Sequence, residues 1–235
     1  MRRPQQGFTL IEVLVALTLM AVMAVMTWIA IDAMTRAQQA TRGATDGVLT
    51  LQAGLDQWRA DLDAMLVLWP QPTAGTLPSA IPPANAPAAT RSLAWDGSVL
   101  RLTRAASSGA GDGARVVAWA RRPATGQWLR WQSAPITSAS AWAAAWEAAG
   151  RWGQGGAPMP SPGAPEQAVL IGQITDWRLY YFRNNAWTNP LSSAAETAST
   201  GSLVPDGVRL VLTLAPGGAL VGNVQMDWVR PTLGK

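Results

Sequence analysis

Glu12 is the residue whose position most directly implies chemistry, because it is a lone carboxylate inside an apolar segment. It is the only charged residue between Phe8 and Ile31. At about 1.5 Å per residue, a helix over this stretch is long enough to span the roughly 30 Å hydrocarbon core of a membrane. A charge inside such a helix costs a few kcal/mol or more and usually marks function. The sequence therefore predicts a membrane helix with a functional carboxylate near its start.

Composition excludes many other kinds of site. The chain contains no Cys and no His, which excludes thiol nucleophiles, disulfides, zinc fingers and histidine-based acid–base catalysis. No Gly-x-Ser-x-Gly motif or calcium-loop pattern occurs, and the acidic residues show no spacing suited to paired-carboxylate catalysis. Asp61 and Asp63 lie two apart on a predicted helix, so their carboxylates should point apart. We expect no enzyme activity, no metal and no cofactor.

The excess of basic over acidic residues does not indicate nucleic-acid binding. The net charge is +4, from 18 basic and 14 acidic residues, and Lys235 is the only lysine. No segment combines a dense Lys/Arg cluster with interleaved aromatic residues, and Arg2 and Arg3 belong to the extreme N-terminus. Scattered arginines are typical of a solvated surface.

Three interpretations of the N-terminus compete. A secretory signal peptide has an apolar core of about 7–15 residues and a small-residue cleavage site, but this apolar run is longer and Asp32-Ala33-Met34 is a poor site. A plain signal anchor fits the length and the basic start, yet it leaves Glu12 unexplained.

The third interpretation accounts for Glu12. The string from Gly7 to Glu12, Gly-Phe-Thr-Leu-Ile-Glu, follows a short basic leader and precedes the apolar run. It resembles the prepilin peptidase site of type IV pilins and type II secretion pseudopilins. The resemblance implies that a leader of residues 1–7 is cleaved between Gly7 and Phe8, that Phe8 is N-methylated, and that prepilin peptidase is a partner.

The same resemblance gives Glu12 a role in assembly. In the family, this carboxylate pairs with the N-terminal amine of a neighbouring subunit, and here it lies four residues, or one helical turn, from Phe8. Such a pair offsets part of the cost of a carboxylate in an apolar environment. We expect the pair to determine axial register and recruitment more than stability.

The helical pattern continues beyond the membrane segment. We predict one helix from about residue 8 to residue 69, with a membrane half (8–31) and an amphipathic half (32–69), ended by Pro70 and Pro72. Three glycines weaken the second half, which favours packing on the protein's own sheet over a coiled coil. The apolar stripe consists of Val48, Leu51, Leu55, Trp58, Leu62, Met65 and Trp69.

The remainder reads as a Pro/Ala-rich connector (70–90) and a β-rich domain (91–235). Asp96-Gly97 and the segment 123–126 each separate two strand-like runs, which predicts two hairpins. About six to eight strands without βαβ alternation indicate an α+β fold, with antiparallel sheet beside the long helix. The many tryptophans favour core packing over a sugar-binding aromatic box. Further predictions are a short helix at 140–150, a Gly/Pro-rich segment at 153–165, a strand at 168–183, a polar loop at 189–202 and a closing hairpin of 207–214 and 219–229.

Beyond the N-terminus, the chain is similar to the J-type minor pseudopilins of the type II secretion system. The resemblance rests on the order of several strings, each weak alone. They are Asp56–Leu62, Leu93–Arg104, Gln127–Trp131, Asp176–Tyr181 and Asp206–Leu212.

The J-type resemblance implies a semi-open, barrel-like β domain in the periplasm, on a single-pass inner-membrane helix. It also implies a place at the pseudopilus tip with the I-, K- and H-type minor pseudopilins. There the complex primes assembly of the major pseudopilin on the inner-membrane platform and supports export of folded proteins. A minor pilin of a type IV pilus is the alternative, although such pilins often carry a C-terminal disulfide loop. An anchored periplasmic enzyme or binding domain is more remote.

Overall fold

The computed structural model describes residues 8–66, 92–106, 113–155, 167–192 and 204–231. The chain divides into two compact units, Met1–Asp46 and Gly47–Lys235. The leader at 1–7, the connector at 70–90 and most of the segments 153–165 and 189–202 lie outside the described residues. The elements are α1 (Leu10–Asp63), β1 (Leu93–Trp95), β2 (Val99–Ala105), β3 (Ala114–Arg121), β4 (Gln127–Gln132), α2 (Ala139–Gly153), β5 (Gln167–Arg183), β6 (Ala186–Thr188), β7 (Gly207–Leu214) and β8 (Gly222–Val229).

Helix α1 ends at Asp63, so the prediction that it continues to Trp69 is wrong at this end. The chain leaves the helix to pair with β2 instead of continuing to the prolines. Met65 forms a bridge with Arg104, and the Leu66 N–H donates to the Thr103 carbonyl at 2.9 Å. Trp69 lies outside the described residues.

The apolar stripe of the second half of α1 is confirmed. Leu51, Trp58 and Leu62 are buried in a core shared with the sheet, and Leu55 and Met65 pack against that core while half-buried. The helix lies close to β5 at Gly54, where an added Cβ would lie 2.0 Å from Ile171 Cγ2. Glycine at this position therefore permits the close approach of helix and sheet.

The eight strands form one antiparallel sheet with the path β1-β2-β3-β4-β5-β7-β8, and β6 pairs with β5 off this path. Strand β5 has 17 residues and connects the two halves of the sheet. Its residues 167–173 pair with β4, and its residues 174–182 pair with β7. Among the described residues the path ends at β1 and at β8, so the sheet is open. The expected α+β class is confirmed.

Both predicted hairpins are confirmed, as are the short helix, the long strand and the closing pair. The hairpins are β1–β2 and β3–β4, the helix is α2, and the closing pair is β7–β8. The short strand β6 was not predicted. It follows a tight turn in which Asn184 and Asn185 adopt positive φ angles of 48° and 62°, a conformation that asparagine tolerates better than most residues.

Alternation along the strands produces two separate cores, one on each face of the sheet. One face packs on α1 and includes Leu100, Val117 and Trp128. The other face of β2, β3 and β4 packs on α2 through residues such as Val116 and Trp131. Because each core draws on alternate residues of the same strands, neither helix can be removed without exposing one face.

Tryptophan fills both cores, as the sequence predicted. The described tryptophans include five fully buried ones, which are Trp58, Trp119, Trp128, Trp131 and Trp146. Two arginines also contact tryptophans of α2: Arg101 of β2 lies over the Trp146 ring at 5.2 Å, and Arg122, just after β3, lies over the Trp152 ring at 4.7 Å. Partial burial lowers the pKa of Arg122.

The close approach at Gly54 predicts opposite effects for two glycine substitutions in α1. Gly54→Ala should lower the free energy of unfolding by about 1–3 kcal/mol, because the new methyl group overlaps Ile171. Gly47→Ala meets no atom within 4 Å and should raise it by up to about 1 kcal/mol through helix propensity. Urea denaturation measures the free energy of unfolding of both variants. Equal changes in the two would contradict close packing of Gly54 on Ile171.

Candidate processing and assembly site

Reciprocal hydrogen bonds between Thr9 and Glu12 cap the N-terminus of α1. The Thr9 N–H donates to Glu12 Oε2 at 3.0 Å, the Thr9 hydroxyl donates to the same oxygen at 2.9 Å, and the Glu12 N–H donates to Thr9 Oγ1 at 3.4 Å. This is a capping box, which satisfies backbone donors that a helix N-terminus otherwise leaves unpaired. It holds the Glu12 carboxylate at the helix start, next to Phe8.

The first unit presents its apolar side chains outward. All described residues from Phe8 to Asp32 are exposed, and the large apolar ones include Leu10 at 85% and Trp28 at 76% exposure. By length and composition, α1 is able to cross a membrane. Apolar surface on this scale needs a covering medium, which a lipid bilayer or neighbouring helices would supply.

A second polar centre lies at the end of α1, around the fully buried Asp61. Arg130 of β4 binds its carboxylate through two bonds, from Nε to Oδ2 and from Nη2 to Oδ1, both at 2.8 Å. Arg104 of β2 donates from Nη1 to Oδ1 at 2.6 Å. The Trp119 indole and the Gln57 amide add bonds at 2.9 Å each. We call these five residues the Asp61 cluster.

Strand alternation brings these side chains together. Arg104 is in phase with Leu100 and Leu102 of β2, so it lies on the face that packs on α1. Trp119 of β3 is on the same face and pairs in register with Arg130 of β4. Three strands therefore each deliver one donor to the same carboxylate of the helix.

The Asp61 cluster was missed at the level of sequence, where Asp61 was considered only as one of two neighbouring helix carboxylates and as part of the string Asp56–Leu62. A signal existed: Asp61 follows Trp58 by three residues and so belongs to the apolar stripe of α1. Arg104 and Arg130 likewise occupy apolar-phase positions of their strands. The string Asp56–Leu62 contributes Gln57 and Asp61 to this cluster, and the strings Leu93–Arg104 and Gln127–Trp131 contribute one arginine each.

The carboxylates of Asp61 and Asp63 point to different partners, as expected from their spacing. Asp63 accepts a hydrogen bond from the Trp228 indole of β8 at 2.8 Å. Across the described ranges, no group of three acidic side chains could hold a metal ion.

Of the predicted site residues, Gly7 lies outside the described residues, and Phe8 is exposed just before α1 begins. Residues 2–28 match the family model for the prokaryotic N-terminal methylation motif. The match covers the N-terminal segment only. Behind this motif lies an apolar helix that is long enough to cross a membrane, and the second unit has an α+β architecture.

Among solved structures, the chain has a similarity to the GspK-GspI-GspJ complex from the enterotoxigenic Escherichia coli type 2 secretion system. The match to one of its chains has 14% identity and a TM-score of 0.45, and covers 79% of this chain and 99% of that chain. No curated protein matches this chain in sequence. The fold described above rests on the helix and sheet of the chain itself.

Loss of the Asp61 carboxylate should be strongly destabilising. Asp61→Ala leaves two guanidinium groups without their counter-ion, at exposures of only 12% and 8% for Arg104 and Arg130. We expect the free energy of unfolding to fall by about 3–5 kcal/mol, as measured by urea denaturation followed by tryptophan fluorescence.

The exposed pair of Asp176 and Arg178 provides the matched control. Its side chains are 49% and 68% exposed, so Asp176→Ala should change stability by about 1 kcal/mol or less. Similar losses for Asp61→Ala and Asp176→Ala would contradict the importance assigned to the Asp61 cluster.

Proposed function

We propose that this protein is a minor pseudopilin of a type II secretion system, of the J type, with a structural and not an enzymatic role. It is cleaved between Gly7 and Phe8 and N-methylated at Phe8. Its domain lies in the periplasm and joins a complex at the pseudopilus tip, which primes assembly of the major pseudopilin and supports export of folded proteins.

The observation that carries the proposal is the methylation motif at residues 2–28, at the head of a helix whose first half is apolar and exposed. Pilin-type subunits need such a helix twice, first as a membrane anchor and then in the core of a fibre. The exposed apolar surface suits both environments because hydrocarbon and neighbouring apolar helices solvate it equally well.

Glu12 supplies a polar interaction for the move of the helix from the membrane into the fibre. Held by Thr9 at the helix start, its carboxylate lies one turn from the amine that cleavage creates at Phe8. A neighbouring subunit in the correct axial register brings its own amine to this carboxylate, and a subunit out of register leaves a charge unpaired in an apolar environment. The pair therefore favours one register over others.

Partners follow from the same proposal. They are the prepilin peptidase, the I-, K- and H-type minor pseudopilins, the major pseudopilin and the inner-membrane assembly platform. The order of the strings shared with the J type supports the subtype, and three of those strings meet in the Asp61 cluster. A minor pilin of a type IV pilus remains the alternative, and the absence of Cys in the chain favours the pseudopilin.

Intact-mass measurement tests the processing step. The full chain, expressed with a prepilin peptidase, should lose Met1 to Gly7 and gain one methyl group on Phe8. A full-length mass, or cleavage beyond Ile31, would refute the proposal. Pull-down with I- and K-type pseudopilins, compared with pilins of a type IV pilus, then distinguishes the two subtypes.

Glu12→Ala should separate processing from assembly. The variant should be cleaved like the wild type, because the substitution leaves Gly7 and Phe8 intact, yet its recruitment into pseudopilin complexes should fall at least tenfold when measured by cross-linking. Asp32→Ala is the control, because Asp32 is an exposed acidic residue of the same helix that pairs with Arg36. Equal recruitment of Glu12→Ala and wild type would contradict the role given to Glu12.

A further inference from the structure

The Asp61 cluster carries more positive than negative charge. Two arginines, Arg104 and Arg130, share the single carboxylate of Asp61. All three side chains are at least seven-eighths buried, with exposures of 12%, 8% and 0%. Charges in such an environment are normally balanced, because leaving one uncompensated costs several kcal/mol.

Asp61 has no capacity to neutralise a further cation. Its two oxygens accept five hydrogen bonds, from Gln57, Arg104, Trp119 and twice from Arg130. A carboxylate offers about four lone-pair positions, so its acceptor sites are saturated. Any additional negative charge must come from another group.

Arg115 adds a third guanidinium on the same face. It pairs in register with Arg104 across β2 and β3, and it shares the phase of Val117 and Trp119. Like charges directly opposite each other on neighbouring strands repel. Arg115 donates only to the Ser133 carbonyl, at 3.0 Å, and within the described ranges no acidic side chain forms an ion pair with it.

Arg104 and Arg115 both retain N–H donors that a ligand could use. Arg104 uses Nη1 for Asp61 and Nε for the Ala105 carbonyl, and the one bond of Arg115 uses Nη1. Each guanidinium carries five N–H donors in a planar fork that matches a carboxylate or phosphate group. Arg115 is half-buried and the Arg104 side chain keeps 12% of its surface exposed, so both remain reachable from solvent.

We propose that Arg104 and Arg115 form a binding site for an oxyanion, a carboxylate or a phosphate group, at the end of the β2–β3 pair. The anion balances the charge that Asp61 leaves uncompensated among the described residues, and it removes the repulsion between the two opposed arginines. This site goes beyond the proposed function and does not depend on it, because it rests on the second unit alone.

Thermal unfolding of the full chain in detergent tests the site, followed by tryptophan fluorescence. Sodium phosphate and sodium acetate are compared with sodium chloride at equal ionic strength. The wild type should gain about 2–4 °C in Tm in at least one oxyanion. A gain in acetate identifies a carboxylate as sufficient, and a gain in phosphate alone identifies a phosphate group. No gain over chloride in either salt overturns the proposal.

Variants distinguish anion binding at this site from the general stabilisation that phosphate exerts on proteins. Arg115→Gln should melt in chloride at or above the wild-type Tm, because repulsion is removed, and should lose the oxyanion-specific gain. Arg115→Lys should keep part of that gain. Arg178→Gln removes one charge from the sheet elsewhere and should keep all of it. A gain that persists in Arg115→Gln, or disappears in Arg178→Gln, would overturn the assignment.

Discussion

The burial of the Asp61 carboxylate is the constraint around which the C-terminal half of α1 and the sheet are arranged. A carboxylate without exposure is tolerable only where donors surround it, and here these come from three adjacent strands and from the helix itself. An apolar stripe alone would allow the helix to slide or rotate on the sheet by a turn. A saturated carboxylate does not, because any displacement leaves charges unpaired.

The sheet is built to receive this helix on one face while packing a second helix on the other. Alternation in β2, β3 and β4 directs one set of side chains, including Leu100 and Trp119, towards α1, and the other set, including Val116 and Trp131, towards α2. Strand β5 then extends the α1-facing core into the second half of the sheet, where Asp63 and Trp228 add a further contact between the end of α1 and β8. The helix end is thus held by β2, β3 and β4 through Asp61 and by β8 through Asp63.

Local signals in the sequence predicted much of this fold, because hairpins and helix stripes depend on residues close in the chain. Asp96-Gly97 placed the first hairpin, and Leu51, Trp58 and Leu62 placed the buried face of α1. The end of α1 depends on pairing between Met65 and Arg104, which are distant in sequence. The Asp61 cluster was hidden for the same reason, since its charges lie up to 69 positions apart. Glu12, by contrast, was recognisable because its site is contiguous.

A double-mutant cycle between Asp61 and Arg130 tests most directly whether a buried charge pair fixes the helix on the sheet. The free energy of unfolding would be measured for the wild type, Asp61→Asn, Arg130→Gln and the double variant. We expect a coupling energy of about 2 kcal/mol or more, because either single change breaks the Asp61–Arg130 interaction and the double change loses it only once. Additive losses would contradict it, and would mean that the apolar stripe alone holds α1 in place.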